Sequence, residues 1–187
     1  MDVAVANISL NFCGGAQAVA LEIIKALANR GHRVTLITAD KVNWEKIKNF
    51  MGFDRIAGRE VFAVNYDLVE SMNKDPMNAF LLVISFLGKL FGAKKRYDVV
   101  LNSYGDLDLS VNLAHITFIG SFPFSLSGRF PDMAPIYLKN PFTIAFYKTL
   151  RELLVREPSG ILLTNSLFMK RILKKYLGWN TVVLHLP

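Results

Sequence analysis

Two adjacent glycines, Gly14 and Gly15, join an apolar run, Val3-Ala4-Val5-Ala6-Asn7-Ile8, to a segment with apolar residues at Ala16, Val19, Ala20, Ile23, Ile24, Leu27 and Ala28. The run reads as a β-strand, and the second spacing is the stripe of a helix buried along one face. Gln17, Glu22, Lys25 and Asn29 form its polar side, and Gly31 stands where a left-handed residue closes a helix. Arg33-Val34-Thr35-Leu36-Ile37-Thr38 then supplies a second, β-branched strand. Strand, glycine turn, helix and strand within about forty residues make a βαβ unit, which predicts a parallel sheet with right-handed crossovers. The predicted fold class is α/β, a Rossmann-like and mostly parallel sheet with helices on both faces.

Paired glycines at a strand-to-helix turn permit backbone angles that a Cβ resists. They also let the unbonded N–H groups of the first helical turn come close to an anion. Gly14 and Gly15 therefore admit two readings: a seat for a phosphate or another polar ligand, and a tight turn that only packs the helix on its sheet.

The 187 residues suit one domain with a sizeable core, and 52% of them are hydrophobic, which excludes a disordered chain. Cys13, the one cysteine, has no disulfide partner within the chain, and no ligand set for a metal stands out. Beside the glycine turn its thiol could be activated, but no histidine or lysine neighbours it in sequence, so it reads as a space-filling residue. The sequence opens on strand-like residues without a secretory pattern, so a reducing, cytoplasmic location is expected.

The net charge of +7 gathers at Lys94-Lys95-Arg96 and at Lys170, Arg171, Lys174 and Lys175. No nucleic-acid-reading motif accompanies these clusters, so they fit an anionic membrane surface or plain solvated charge.

Further along, Asp40 to Met51 reads as a short helix and Glu60 to Val64 as a strand. The apolar run from Ala79 to Phe91 is shorter than the roughly 20 residues of a spanning helix. It suits a core helix, or an interfacial one flanked by Lys89, Lys94, Lys95 and Arg96. Strands are expected at Arg96 to Asn102, Val111 to Ile119, Ile161 to Thr164 and Thr181 to Pro187, with a helix from Phe142 to Arg156. Ser166 reads as the N-cap of a last helix running to Tyr176 and stopped by Gly178. Ser125 to Met133 and Pro135 to Pro141 look irregular.

The stretches Gly14-Gly15-Ala16-Gln17-Ala18-Val19-Ala20-Leu21 and Leu27-Ala28-Asn29-Arg30-Gly31-His32-Arg33-Val34 resemble the opening of family 4 glycosyltransferases. Those are retaining, metal-independent enzymes of the two-domain GT-B fold, similar members including transferases that build lipid-linked oligosaccharides. They commonly show Gly-Gly-Ala-Glu and then Leu-Ala-Lys-Arg-Gly-His-Glu-Val. Gln17 replaces the usual glutamate, keeping a carbonyl acceptor and losing the charge, while Asn29 and Arg33 depart at positions expected to be exposed. Tyr97-Asp98-Val99-Val100 resembles the family's central strand entry, with Gly105 and Asp106 following at its C-terminal end. At Phe122-Pro123 members often have Tyr-Ile-His-Phe-Pro; Ser121 stands where that histidine would be, and His115 lies six residues earlier. Lys139-Asn140-Pro141-Phe142 resembles a helix entry, and Asn165-Ser166 an Ala-Asn-Ser element in which Lys170 is kept and Met169 replaces a threonine.

The resemblance runs over essentially the whole chain. It implies that residues 1–187 form the acceptor-side domain of an enzyme that moves a sugar from a nucleotide-diphosphate sugar to a glycan or polyprenyl-linked acceptor. The donor-gripping Glu-x7-Glu belongs to a C-terminal GT-B domain, on the same or a separate chain, so this domain alone is expected to be inactive. No cofactor is implied beyond the donor substrate. The implied phosphate-proximal residues are Gly14, Gly15 and Gln17, and the implied cleft residues are Asp106, Gly120, Ser121, Asn165, Ser166 and Lys170. No catalytic residue is assigned, His115 being the weak candidate. The implied partners are the second domain, the acceptor and a peripheral anionic membrane, with no nucleic acid.

Two rivals remain from the residues themselves. A dinucleotide-binding domain would want Gly-x-Gly-x-x-Gly, which Cys13-Gly14-Gly15-Ala16-Gln17 fails, and an acid after the second strand, which Asp40 offers. A non-catalytic binding or membrane-adaptor domain of the same fold is the other.

Overall fold

The computed structural model describes residues 1–72, 75, 77–126, 141–154 and 158–184. Seven strands form one sheet: β1 (Asp2–Ala6), β2 (Arg33–Ile37), β3 (Arg59–Val61), β4 (Val99–Asn102), β5 (Ile116–Ile119), β6 (Ile161–Thr164) and β7 (Val182–Val183). Their order is β3-β2-β1-β4-β5-β6-β7, and every pairing is parallel. This is the expected Rossmann-like α/β fold, with the order reversing between β1 and β4. The helices are α1 (Gly15–Asn29), α2 (Trp44–Met51), α3 (Leu68–Ser71), α4 (Met77–Leu90), α5 (Pro141–Leu154) and α6 (Leu167–Leu177).

Strand alternation on β1 sorts the core into two layers. Val3 and Val5 face one side, where they meet Ala20, Leu21 and Ile24 of α1 and Ile47 of α2. Ala4 and Ala6 face the other, against Leu82, Val83 and Phe86 of α4 and Tyr147 of α5. Small alanines on that face leave room for Phe86, whose full burial is worth about 2–3 kcal/mol. Phe80 and Phe146 join α4 to α5 edge-to-face at 5.0 Å. On the same side, Met169 and Leu173 of α6 pack on Ile119 and Leu162. Helices therefore flank both faces.

Several boundaries shift for local reasons. The first helical turn of α2 begins only at Trp44, because Asn43 caps it through Lys46 N, 3.0 Å away; residues 41–43 remain loop and Asp40 forms an isolated parallel bridge with Val64. The strand expected from Val111 starts instead at Ile116, and Asp108–Leu113 forms a 3₁₀ helix. A parallel β4–β5 pair forces that correction, since the chain must travel back across the sheet before β5 can start. The strand predicted over 60–64 shortens to Arg59–Val61, and β7 covers only Val182–Val183 of 181–187. Gly31 and Gly178 close α1 and α6 with φ of 78° and 73°, as their positions predict. The segments 127–140, 155–157 and 185–187 lie outside the described residues.

α4 sends Ala79, Leu82, Val83, Phe86 and Leu90 into the core. Together with the turn that follows, Met77–Lys95 gives 19 residues of mean hydropathy 1.4, long and apolar enough to cross a membrane by length and composition. The α-helix within it has 14 residues, shorter than the roughly 20 of a spanning helix as the sequence predicts, and the added length comes from the turn and 3₁₀ segment after Leu90. A third of the whole stretch is buried in the fold.

Candidate functional site

Open α/β sheets carry ligands outside the C-terminal ends of their strands, where the order reverses. Here that edge collects the loop from Asn7 to Gly14, Thr38–Asn43, Ser103–Asp106, Gly120–Ser121 and Asn165–Ser166.

The β1 loop rests on a buried polar scaffold. Asn7, Ser9, Asn11 and Gln17 are each 3% exposed or less. Gln17 reaches back beneath the turn: Nε2 donates to the Ser9 carbonyl at 3.1 Å and to Asn7 Oδ1 at 3.5 Å, while Oε1 accepts from Gly14 N at 3.1 Å. Asn7 Nδ2 donates to Ser103 Oγ at 3.1 Å, and that hydroxyl donates to the Ala6 carbonyl at 2.9 Å, tying the β1 and β4 ends together. Asn11 Nδ2 donates to Asp40 Oδ2 and to the Lys41 carbonyl, and its Oδ1 accepts from Asn43 N at 2.8 Å. The glycine turn is thus held from below and from the β2 side.

Gln17 was expected beside the phosphate. It is instead buried and engaged at both ends of its amide, a clamp under the turn. Glutamate there would lose both donations and place a charge against two acceptor oxygens. Gln17→Glu is expected to cost about 3 kcal/mol near neutral pH; a denaturant midpoint equal to the wild type would show that the clamp carries no stability.

Gly14 is the N-cap and Gly15 opens α1, both exposed. A Cβ at Gly14 would come 3.1 Å from Gln17 Oε1, whereas one at Gly15 would meet nothing within 4 Å. Gly15 also needs no positive φ. Neither packing nor backbone angle demands glycine at 15; Gln17 N and Ala18 N bond to the Gly14 carbonyl at 3.1 and 3.0 Å, which leaves the N–H groups of Gly15 and Ala16 without an intrahelical acceptor. Cys13 takes the left-handed conformation, φ 51°, that ends the preceding 3₁₀ turn. Burial raises its thiol pKa, with Lys46 opposing, so it is not an activated thiolate.

Asp106 and Ser121 come together from the ends of β4 and β5. Asp106 Oδ2 accepts the Ser121 hydroxyl at 2.6 Å, and Oδ1 accepts Ser121 N at 3.2 Å. Burial raises the Asp106 pKa, and the two Ser121 donors hold it down. Ser121 itself is exposed, so it presents a polar group, held by buried Asp106, at the same sheet edge as the glycine turn. Asn165 Nδ2 donates to the Gly120 carbonyl at 2.9 Å, stitching β5 to β6. Ser166 Oγ accepts from Met169 N at 3.2 Å, the capping role its position predicts. Lys170 is exposed one turn into α6.

His115 lies elsewhere. It precedes β5, roughly 16 Å of strand from Gly120, and its Nδ1 accepts from Val100 N at 3.0 Å. That places it at the opposite sheet edge, as a hydrogen-bonded residue leading into β5.

Asp40 is fully buried, accepting from Asn11 Nδ2 and Leu68 N at 3.0 Å each. Burial pushes its pKa up to about 6, while Ser9, Asn11 and the Leu68 N–H hold it down. Committed to these internal donors, it is not presented to a ribose, which removes the acid that a dinucleotide site requires. The buried Asn7, Ser9 and Asn11 were not singled out from sequence. Their signal was the alternation of polar and apolar residues in Asn7-Ile8-Ser9-Leu10-Asn11 just past an apolar strand. Among the described residues no group of three or more His, Cys, Asp or Glu could hold a metal.

No protein-family model matches the chain, and no curated protein matches it. A solved structure of a protein from Lactobacillus casei is similar at a TM-score of 0.33 and 13% identity, covering 89% of this chain and 74% of that one. Likeness at that level carries no argument about function.

Proposed function

We propose that this chain is the acceptor-side half of a retaining, metal-independent glycosyltransferase of family 4, with a nucleotide-diphosphate sugar as donor. The observation that carries the reading is Gly15, an exposed glycine at a helix start that neither φ nor packing requires, set at the switch point between β1 and β4. A site that must let a diphosphate or sugar approach the backbone supplies a reason for it. In that reading the N–H groups of Gly15 and Ala16 at the start of α1 stabilise charge on the leaving diphosphate, work that preorganised donors do without a metal. The exposed Ser121, held by Asp106, orients sugar hydroxyls from the same sheet edge. The acceptor is a glycan or a polyprenyl-linked saccharide, and the partner is a C-terminal GT-B domain. Peripheral contact with a cytoplasmic membrane face follows from a lipid-linked acceptor.

The test is Gly15→Leu in the full-length product of the coding frame that contains these residues. Its folding stability is expected to stay within about 1 kcal/mol of the wild type, since a Cβ meets nothing there. Sugar transfer is expected to fall at least about tenfold as the side chain fills the ligand's approach. Unchanged transfer by the variant would sink the reading.

A further inference from the structure

Away from Gly14 and Gly15, a pocket of about 780 Å³ opens beside the C-terminal ends of α1 and α4 and runs along β2 and β3, from Arg33 and Arg59 at their starts to Ile37 and Val61 at their ends. That volume lies within the range of small-molecule sites. Its lining includes Arg33, Arg59, Lys89 and Arg96 against a single acid, Asp2. Arg33 pairs with that acid, Nη2 lying 2.7 Å from Asp2 Oδ2, and is neutralised. The other three cations form no ion pair among the described residues. Helix C-termini carry about half a negative charge each, so α1 and α4 together compensate only part of this positive charge. Half-buried Tyr97 and the wall of Ala28, Ile56 and Ala93 supply apolar surface beside the cations.

We infer that this pocket is a second ligand site, distinct from the glycine-turn edge, that takes a phosphate-bearing molecule with an apolar body. Arg59 and Arg96 each offer a planar fork of donors matched to phosphate oxygens, and Lys89 adds a point charge. The apolar wall and Tyr97 hold the rest of the ligand. A soluble organic phosphate and a lipid phosphate headgroup share this chemistry. No residue of the pocket belongs to the glycine-turn site, so the inference stands independently of the glycosyltransferase reading.

The experiment is an amide chemical-shift titration of the whole 187-residue chain with phenyl phosphate and, separately, with short-chain phosphatidic acid below its micelle concentration. Saturable shifts are expected at His32, Arg33, Gly58, Arg59, Arg96 and Tyr97. Tighter binding of phosphatidic acid identifies the lipid source, and tighter binding of phenyl phosphate the soluble one. The exposed pair Arg59→Gln with Arg96→Gln is expected to weaken binding at least about tenfold, and Arg59→Lys with Arg96→Lys to restore part of it. Shifts confined to Gly14, Gly15 and Ala16, or none at millimolar ligand, would overturn the inference. So would a glutamine pair that is folded and binds as the wild type does.

Discussion

Replacing Gly105 by alanine is expected to destabilise the fold by about 3 kcal/mol, a large effect for one methyl group. Gly105 follows β4 and donates its N–H to the Phe118 carbonyl at 2.8 Å, bringing the turn flat against β5. A Cβ there would lie 2.6 Å from Thr117 Cγ2, 2.7 Å from Ile119 Cγ1 and 2.7 Å from Phe118 O. The first two atoms belong to β-branched residues with restricted χ1, and the third is sheet backbone, so none can swing aside cheaply. Relief requires parting the β4 and β5 ends, which would also pull Asp106 away from Ser121. Chemical denaturation checks this: the midpoint falls while the slope stays at the wild-type value. A midpoint within about 0.5 kcal/mol of the wild type would mean that the two strand ends are not packed this closely.

The second large effect concerns Asp40 and pH. Its folded pKa, about 6, stands above the ordinary 3.8 because burial penalises the carboxylate. A carboxyl with a raised folded pKa binds more protons folded than unfolded, so it weakens stability as pH rises. The loss begins near pH 4, where the unfolded group ionises, and is complete above about pH 6, where the folded one is ionised as well. Roughly two pH units at about 1.4 kcal/mol each put the full span near 3 kcal/mol. Asp106 shifts in the same direction for the same cause. Asp40→Asn keeps an oxygen for Asn11 Nδ2 and Leu68 N and removes the charge. The variant is expected to be more stable than the wild type at pH 8 by about 2 kcal/mol and nearly equal to it at pH 4. Denaturant melts across that range decide it. An asparagine variant less stable at pH 8 would show that the ionised carboxylate is held by its donors more strongly than burial opposes it.

The βαβ opening was legible in the sequence because three local signals agreed: an apolar strand, a glycine pair and a helical stripe. The same agreement held for α6, where Ser166 and Gly178 mark both ends. It failed at Val111, where a strand was expected to start, although the parallel β4–β5 connection forces a return path there. Propensity is local, and that constraint is not. That Asp106, Ser121 and Asn165 stand at one sheet edge was legible, since each follows the C-terminal end of a strand. That Asp106 and Ser121 bond to each other depends on two strands becoming neighbours, which no spacing encodes. Gln17 misled for a related reason: its position in the helix shows where it starts, and only the fold of the Asn7–Gly14 loop shows that it turns beneath the glycines. Asp40 sits at the right place in sequence for a ribose and is turned inward by Asn11 and Leu68, both distant along the chain.

The most direct measurement is the product stereochemistry of the full-length protein. It would be incubated in excess EDTA with nucleotide-diphosphate sugars and a polyprenyl diphosphate saccharide acceptor, and the new linkage read by proton NMR. The account predicts sugar transfer without a divalent metal, with the anomeric configuration of the donor kept. Inversion at the anomeric carbon, a requirement for metal, or no transfer from any nucleotide-diphosphate sugar would contradict it.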